Sequence, residues 1–378
     1  MSHLPSLVAH FADLPDPRVE RTRLHALTAI LVIGICATIC GADDFVAIEA
    51  WGRAQEAWLK ERLALPHGIP SHDTFDRLFR RLDPEAFSRC FVAWVQAVRE
   101  ATLGEVVAID GKTLRHSFDR ASGKAAIHMV SAWATQNRLV LGQVKVDDKS
   151  NEITAIPALL ALLDLRGCLV TIDAMGCQKA IVRQIVAQGG DYLLALKENQ
   201  PSLYTDVEEF FTEARATHFA AIAHGFHREL EGDHGRIETR RCWSVGEIAW
   251  LQERHDWLQL TSIALVERER QRGEQKSVEV SYYISSRPGG TPRSAQQLAG
   301  AARGHWGIEN RLHWVLDVQF DEDHCRVRCE HAAQNLATVR HIGLNLLQQE
   351  QTAKLGIKNK RLRAGWDTRY LERVLTGI

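Results

Sequence analysis

The chain has 378 residues, which exceeds one ordinary domain, so we expect a core with at least one appended domain. Hydrophobic residues make up 45% and charged residues 25%, a globular composition that excludes a long disordered or low-complexity chain. The net charge of −1 gives no whole-chain signature of nucleic-acid binding, although a basic surface can be confined to one face.

The N-terminal residues indicate the compartment. Asp13, Asp16 and Glu20 stand where a signal peptide would carry a basic start and an apolar run. The apolar stretch 27–42 is shorter than the ~20 residues that a membrane span needs, so it predicts a buried helix. We therefore expect a cytoplasmic protein with no membrane role.

Residues 1–100 show helical periodicity and predict an N-terminal helical domain. A turn with Pro66, Gly68 and Pro70 precedes Ser71, which is a suitable N-cap for the next helix. Helix, turn and helix with exposed arginines is compatible with DNA binding, and plain helical packing explains the same pattern.

Residues 101–350 predict an α/β domain with a mixed sheet, because strands and helices alternate there. Buried strands end at Asp110 and at Asp173. Further strands are predicted near 125–134, 138–146 and 192–196, with helices near 152–163 and 177–188.

A mostly β insertion is predicted at about 215–290, before a long helix that begins near Ser294. Its strands are expected near 237–245, 259–267 and 277–285. Another helix is predicted over 332–349, and residues 351–378 form a basic C-terminal tail.

Asp110 and Asp173 each follow a short apolar run, which places a carboxylate at the carboxyl end of a buried strand. If the two strands are neighbours, the carboxylates converge, and their repulsion raises one pKa unless a cation lies between them. Convergence therefore implies a metal. The alternative is a pair of structural carboxylates, since many α/β proteins end strands in Asp.

A third metal ligand is predicted on the last long helix. One face of that helix carries, at helical steps, Leu298, Ala302, His305, Glu309, Leu312 and Leu316. A carboxylate in such an apolar stripe is costly unless it is neutralised, hydrogen-bonded or bound to a metal. Two aspartates and this glutamate supply hard oxygen ligands for two Mg²⁺ ions, with Mn²⁺ as a substitute. Two such ions suit hydrolysis or transesterification of a phosphodiester.

Several polar residues flank these carboxylates. Lys112 and Lys197 are candidates to hold phosphates, and a solvated lysine is the alternative for each. His305, Asn310 and His313 surround Glu309 and are candidates to orient it or to contact DNA, against the alternative of core histidines.

Trp306 and Trp314 on the same helix are predicted to pack in the core, with base stacking as the alternative. The chain carries no glycine-rich phosphate loop with a P-loop lysine, so we expect no nucleotide cofactor.

Several long motifs carry a family resemblance that covers nearly the whole chain: HGIPSHDTFDRLFRRLDPEAF, VVAIDGKTLR, TIDAMGCQ, YLLALKENQ and HWGIENRLHWVLDVQFDED. In this order they resemble the ISAs-type insertion-sequence transposases, also called H-repeat-associated proteins, within the DDE transposase superfamily.

The resemblance implies a ribonuclease-H-like fold with a β insertion before the glutamate helix, and an acidic triad at Asp110, Asp173 and Glu309. Related transposases carry a Tyr-Arg-Glu-Lys signature around the glutamate. Here the arginine position holds His305 and the lysine position holds Leu316, so phosphate contacts are not transferred to these two residues.

The leading hypothesis is a transposase that cleaves terminal inverted repeats and joins the 3′-hydroxyl to target DNA. Its partner is double-stranded DNA, and two ends require at least a homodimer in the synaptic complex. A catalytically silent DNA-binding regulator and a structure-specific nuclease are the alternatives.

Overall fold

The computed structural model describes residues 8–98, 104–118, 125–147, 150–233 and 236–376. The strands are β1 Val106–Leu114, β2 Ile127–Ala134, β3 Leu139–Lys145, β4 Leu169–Ile172, β5 Asp191–Leu196, β6 His224–Asp233, β7 Arg236–Val245, β8 Ser262–Arg272 and β9 Gln275–Ser285. The helices up to the insertion are α1 Leu27–Ile39, α2 Phe45–Ala54, α3 Glu56–Lys60, α4 His72–Arg81, α5 Pro84–Val98, α6 Glu152–Ala161, α7 Lys179–Ala187 and α8 Pro201–Ala216. The later helices are α9 Ala249–His255, α10 Pro292–His305, α11 Trp314–Gln319, α12 Ala332–Gln349, α13 Ile357–Trp366 and α14 Thr368–Thr376.

The core is a mixed sheet in which strands lie in the order β3-β2-β1-β4-β5-β9-β8-β7-β6. The first three strands form an antiparallel meander, and β1, β4 and β5 are parallel to one another. Helix α6 connects the meander to β4 and α7 connects β4 to β5, as short crossovers between parallel strands require. The predicted ribonuclease-H-like mixed sheet is confirmed.

The β insertion is part of the same sheet, because β9 pairs antiparallel with β5 from Leu193↔Ser285 to Leu196↔Tyr282. It contains four strands, and the sequence indicated only three of them. Strand β6, with the sequence HGFHRELEGD, was missed because it lacks apolar alternation. Its place at the edge of the sheet explains that composition, since an edge strand has fewer apolar neighbours to pack against.

The N-terminal helices pack around the long helix α12, which is buried along nearly its whole length. Helix α1 is apolar on all sides, as the sequence predicted for a buried helix, and twelve of its residues are buried. Helix α2 begins at Asp44, whose carboxylate accepts a hydrogen bond of 2.8 Å from the backbone N–H of Ala47. One apolar core therefore continues from these helices into the sheet.

The C-terminal segment predicted as a basic tail forms α13 and α14, which bury Ile357, Tyr370 and Leu371 against the core. Lys360 and Arg361 are also buried, and the Nζ of Lys360 donates 2.9 Å to the carbonyl of Leu347. These two basic residues stabilise the fold and are not on a free surface, because the apolar residues around them place that side of α13 inward.

Across the described ranges, no helix combines the length and the apolar character needed to cross a membrane.

Candidate active site

Strands β1 and β4 place the two aspartates side by side. Their parallel register ends at the pair Ile109↔Ile172, and Asp110 and Asp173 are the next residue on each strand. Strand β1 does not end at Asp110 as predicted, since its pairing with β2 continues to Leu114. Only its ladder with β4 ends there. The aspartates therefore lie where two parallel strands separate, the position at which α/β sheets bind ligands.

A π-helical turn, Glu309–His313, carries the glutamate. It follows the end of α10 and rotates the chain, so that Ile308 and Leu312 face the core. The Glu309 side chain is 54% exposed, so the prediction of an apolar stripe through this residue is wrong. The sequence steps assumed an uninterrupted α-helix, and the π turn breaks that periodicity.

The geometry brings three side chains together. The candidate ligand atoms of Asp110, Glu309 and His313 all lie within 4.8 Å of one another. His313 Nδ1 is 3.6 Å from Asp110 Oδ2 and 3.9 Å from Glu309 Oε2. The His313 side chain is 5% exposed, whereas Asp110 is 18% exposed, so the cluster has a buried wall and an open side.

Asp173 lies beside this cluster and is turned toward its own chain. Its Oδ1 accepts hydrogen bonds of 3.1 Å from the N–H of Met175 and 3.3 Å from the N–H of Gly176, which caps the short 3-10 turn that follows β4. The cap therefore fixes the carboxylate at the strand end through one of its two oxygens.

The electrostatics of the site follow from this crowding. Burial raises the pKa of Asp110 to about 7, and the charges of Glu309 and Asp173 act in the same direction. The imidazole of His313 lowers the pKa of Glu309. Asp110 is thus a carboxylate that a cation would stabilise strongly, which agrees with a metal-binding role.

His305 lies behind the second aspartate. It is buried on α10, its Nδ1 is 3.3 Å from Thr171 Oγ1, and burial lowers its pKa while the charge of Asp173 opposes that shift. Its position indicates that it supports the carboxyl end of β4.

Lys112 does not face the open side of the site. Its ammonium contacts the carboxylates of Asp317 and Glu322, and the lysine side chain is 9% exposed. Lys197, by contrast, is exposed directly after β5, at the same edge of the sheet as Asp173. Asn310 is exposed, and its Nδ2 donates 3.3 Å to the carbonyl of Trp306.

Two exposed tryptophans and an exposed arginine lie near Glu309 along the chain. Trp306 is 50% exposed and Trp314 is 51% exposed, so the prediction that they pack in the core is wrong. Arg311, which the sequence reasoning missed, is exposed on the π turn. Its position two residues after Glu309 was the available signal.

The opposite face of β1 carries a second polar cluster. His128 Nε2 is 2.6 Å from Glu152 Oε1, and His128 Nδ1 is 2.9 Å from Thr113 Oγ1. These groups press on Gly111, where an added Cβ would lie 2.2 Å from Glu152 Oε1. A side chain at position 111 would therefore require the Glu152 and His128 side chains to move.

Comparison with known proteins gives a consistent assignment. Residues 101–346 match the family described as "Transposase DDE domain", and residues 8–95 match "DDE_Tnp_1-associated". The chain is 42% identical over 377 residues to a protein of Escherichia coli O157:H7 named as the transposase YncI, covering 98% of this chain and 95% of that relative. It is 39% identical over 381 residues to the H repeat-associated transposase YhhI of Escherichia coli, covering 99% and 98%.

The cryo-EM structure of the piggyBac transposase synaptic complex with hairpin DNA covers 99% of this chain and 76% of its own, at 11% identity and a TM-score of 0.42. The assignment rests on the family match and on the full-length relatives. The chain belongs to the DDE transposase family.

Proposed function

We propose that this transposase cleaves DNA at the ends of its element and transfers the 3′-hydroxyl to target DNA, with Asp110, Asp173 and Glu309 holding divalent metal ions. The observation that carries the proposal is the meeting of Asp110 and Glu309 beside the strand end that presents Asp173. Hard oxygen donors of this kind fit Mg²⁺, with Mn²⁺ as a substitute.

Two metal ions bound there would supply an activated hydroxyl and would neutralise the leaving oxygen of a phosphodiester. The protein's own groups hold the geometry. The backbone cap fixes Asp173, the sheet fixes Asp110, and the π turn brings Glu309 over the strand ends.

The exposed groups around the site define where we place DNA. Lys197 at the end of β5, and Asn310 and Arg311 on the π turn, are exposed and suit phosphate or base contacts. The arginines of the insertion are less available, since Arg240 pairs with Glu231 at 3.0 Å and Arg241 with Glu267 at 2.7 Å. DNA affinity should fall as salt rises, because phosphate contacts release counterions.

Two element ends must meet in one complex, so we propose at least a homodimer on double-stranded DNA. The cytoplasm, which gives access to the bacterial chromosome, is the compartment we propose.

The decisive experiment compares wild type with Asp173→Asn for nicking and joining of a plasmid that carries the gene's own flanking DNA, with Mg²⁺, Mn²⁺ or a chelator. Asparagine can still accept the N–H bonds of the 3-10 turn, so the substitution removes charge and keeps the cap. We expect cleavage to fall by at least about 100-fold in the variant. Asp164→Asn, an exposed aspartate before β4, is the matched control and should cleave as wild type does.

Equal cleavage by wild type and Asp173→Asn would remove this residue from the mechanism. Specific DNA binding without cleavage in either protein would identify a catalytically silent regulator; one shorter relative, similar over 75 residues, is named as the inactive transposase YbfQ. Cleavage of branched duplexes without joining would identify a structure-specific nuclease.

A further inference from the structure

His313 has an unusual environment for a buried histidine. Its side chain is 5% exposed, and its Nε2 is buried without a hydrogen-bond partner in the described part of the chain. Its Nδ1 points toward Asp110 and Glu309, but at 3.6 and 3.9 Å it is beyond hydrogen-bonding distance of both carboxylates. Nδ1 is therefore the ring nitrogen that faces the two carboxylates and is placed to bind a cation between them.

The spacing of these atoms fits a shared central ion. Ligands about 2.1–2.2 Å from one metal lie roughly 3–3.6 Å apart, depending on the angle between them. His313 Nδ1 and Asp110 Oδ2, at 3.6 Å, are already at the outer limit of that range. His313 Nδ1 and Glu309 Oε2, at 3.9 Å, lie just outside it.

Glu309 and His313 are four residues apart in one helical turn, a spacing that places both side chains on the same side. The turn is π-helical, and single π turns are frequent at functional sites.

We propose that His313 Nδ1 is a direct ligand of a divalent cation that Asp110 and Glu309 also bind, so that this site favours Mn²⁺ over Mg²⁺. The inference rests on the proposed function for the metal, and it adds a nitrogen donor to the acidic triad. Imidazole suits later transition metals better than Mg²⁺, which prefers oxygen ligands and retains its water.

Pulsed electron paramagnetic resonance of the full-length protein with Mn²⁺ alone tests this proposal directly. A coordinated imidazole gives a ¹⁴N coupling on Mn²⁺, and growth with ¹⁵N-histidine should convert it to a ¹⁵N signal. We expect the coupling in wild type and its loss in His313→Gln, with a rise of at least about tenfold in the Mn²⁺ dissociation constant. His324→Gln, at a histidine that is 74% exposed, is the matched control and should keep the coupling.

A second variant guards against a folding defect in His313→Gln. His313→Asp keeps a ligand at this position and replaces nitrogen by oxygen, so Mn²⁺ should still bind without the nitrogen coupling. The ratio of Mn²⁺ to Mg²⁺ affinity should then fall by at least about tenfold relative to wild type. An unchanged ratio overturns the proposal.

The outcomes distinguish coordination by His313 from metal binding by the carboxylates. Mn²⁺ binding that disappears in Asp110→Asn but shows no histidine coupling in wild type overturns the role of His313 and leaves the carboxylate site intact. Coupling that persists in His313→Gln also overturns it. Absence of any Asp110-dependent Mn²⁺ binding contradicts both proposals.

Discussion

Asp110 combines two properties that oppose each other in a metal-free protein. It is fixed in the sheet by pairing with Ser131 of β2, one residue beyond the ladder with β4. Burial and the neighbouring charges of Glu309 and Asp173 raise its pKa to about 7, so the folded protein tolerates its negative charge poorly. Such a residue favours function over stability, as metal-binding carboxylates commonly do.

Replacing Asp110 should therefore stabilise the metal-free protein. A carboxyl whose pKa rises on folding destabilises the native state above that pKa and has no effect below its unfolded value. We expect Asp110→Asn to raise the free energy of unfolding by up to about 4 kcal/mol at pH 8, and to have little effect at pH 4. Urea denaturation with chelator across this pH range measures the difference.

The same denaturation series with Mn²⁺ provides the control. The ion should stabilise wild type and leave Asp110→Asn unchanged, because a ligand stabilises only the state that binds it. A gain in stability of Asp110→Asn that is the same at pH 4 and pH 8 would exclude a titrating carboxylate as its cause.

At the scale of elements, the contact between β1 and the start of α6 fixes the strand that carries Asp110. Glu152 is the first residue of α6, and its carboxylate lies against Gly111 while it contacts His128. A side chain at position 111 would displace the side chains of Glu152 and His128. The packing behind the site is therefore as specific as the site itself.

Gly111→Ala should destabilise the protein by about 1–3 kcal/mol, because its Cβ overlaps Glu152 and His128. Glu152→Ala removes the overlapping carboxylate, so the double variant should be more stable than the sum of the single effects predicts, by about 1 kcal/mol or more. Gly300→Ala in α10 is the matched control: its Cβ meets no atom within 4 Å, and alanine should stabilise that helix. Additive effects at positions 111 and 152 would refute the contact.

A further prediction concerns the exposed ring of Trp314, which directly follows the π turn that carries Glu309. If unpaired bases stack on it, Trp314→Ala should weaken binding to DNA with unpaired bases by about 1–3 kcal/mol, and affect fully paired DNA less. Fluorescence anisotropy with both DNAs measures this. Trp366→Ala, at a tryptophan that is 79% exposed on α13, is the control, and an equal loss in both variants would argue against stacking.

The buried strands before Asp110 and Asp173 were predictable from the sequence, but the end of β1 and the path of the glutamate helix were not. Short β-branched runs before Asp110 and Asp173 indicate buried strands, because few other local structures accept them. Ile308 and Leu312 on either side of Glu309 are buried through the π turn. A π turn set by tertiary packing cannot be predicted from helical spacing in the sequence. Glu309 was thus predicted as a metal ligand for an incorrect reason. His313 was predicted to orient Glu309 or to contact DNA, and its contact with Asp110 was not foreseen.

At the scale of the whole molecule, a largely buried chain of charges joins the central sheet to the N-terminal and C-terminal helices. Lys112 contacts Glu322, and Glu322 lies 3.4 Å from Arg340 of α12. Arg340 donates 3.3 Å to the carbonyl of Asp43, and the Asp43 carboxylate lies 2.6 Å from Arg361 of α13. The N-terminal helices and the C-terminal helices are therefore fixed to the strand that carries Asp110.

Glu322→Gln should destabilise the protein by about 3–5 kcal/mol, because it leaves Lys112 and Arg340 buried with less compensation. Burial alone would raise the pKa of Glu322, but Lys112 and Arg340 hold it below its usual value. Its contribution is present at neutral pH and is lost only as acid lowers the pH through that depressed pKa. Chemical denaturation from neutral to acid pH measures both the size and the pH dependence.

Glu56→Gln, which breaks an exposed pair with Lys60, is the control and should cost less than about 0.5 kcal/mol. A comparable loss in both variants would show that the buried chain of charges contributes no more than a surface pair.

The separation of the site residues along the chain also has a consequence during protein synthesis. Asp110 and Glu309 are about 200 residues apart, so at about 5–20 residues per second the ribosome adds the glutamate some 10–40 s after the first aspartate. Helix α12, on which the N-terminal helices pack, emerges later still. A nascent chain therefore lacks the Glu309 carboxylate of the proposed metal site until the polypeptide is almost finished.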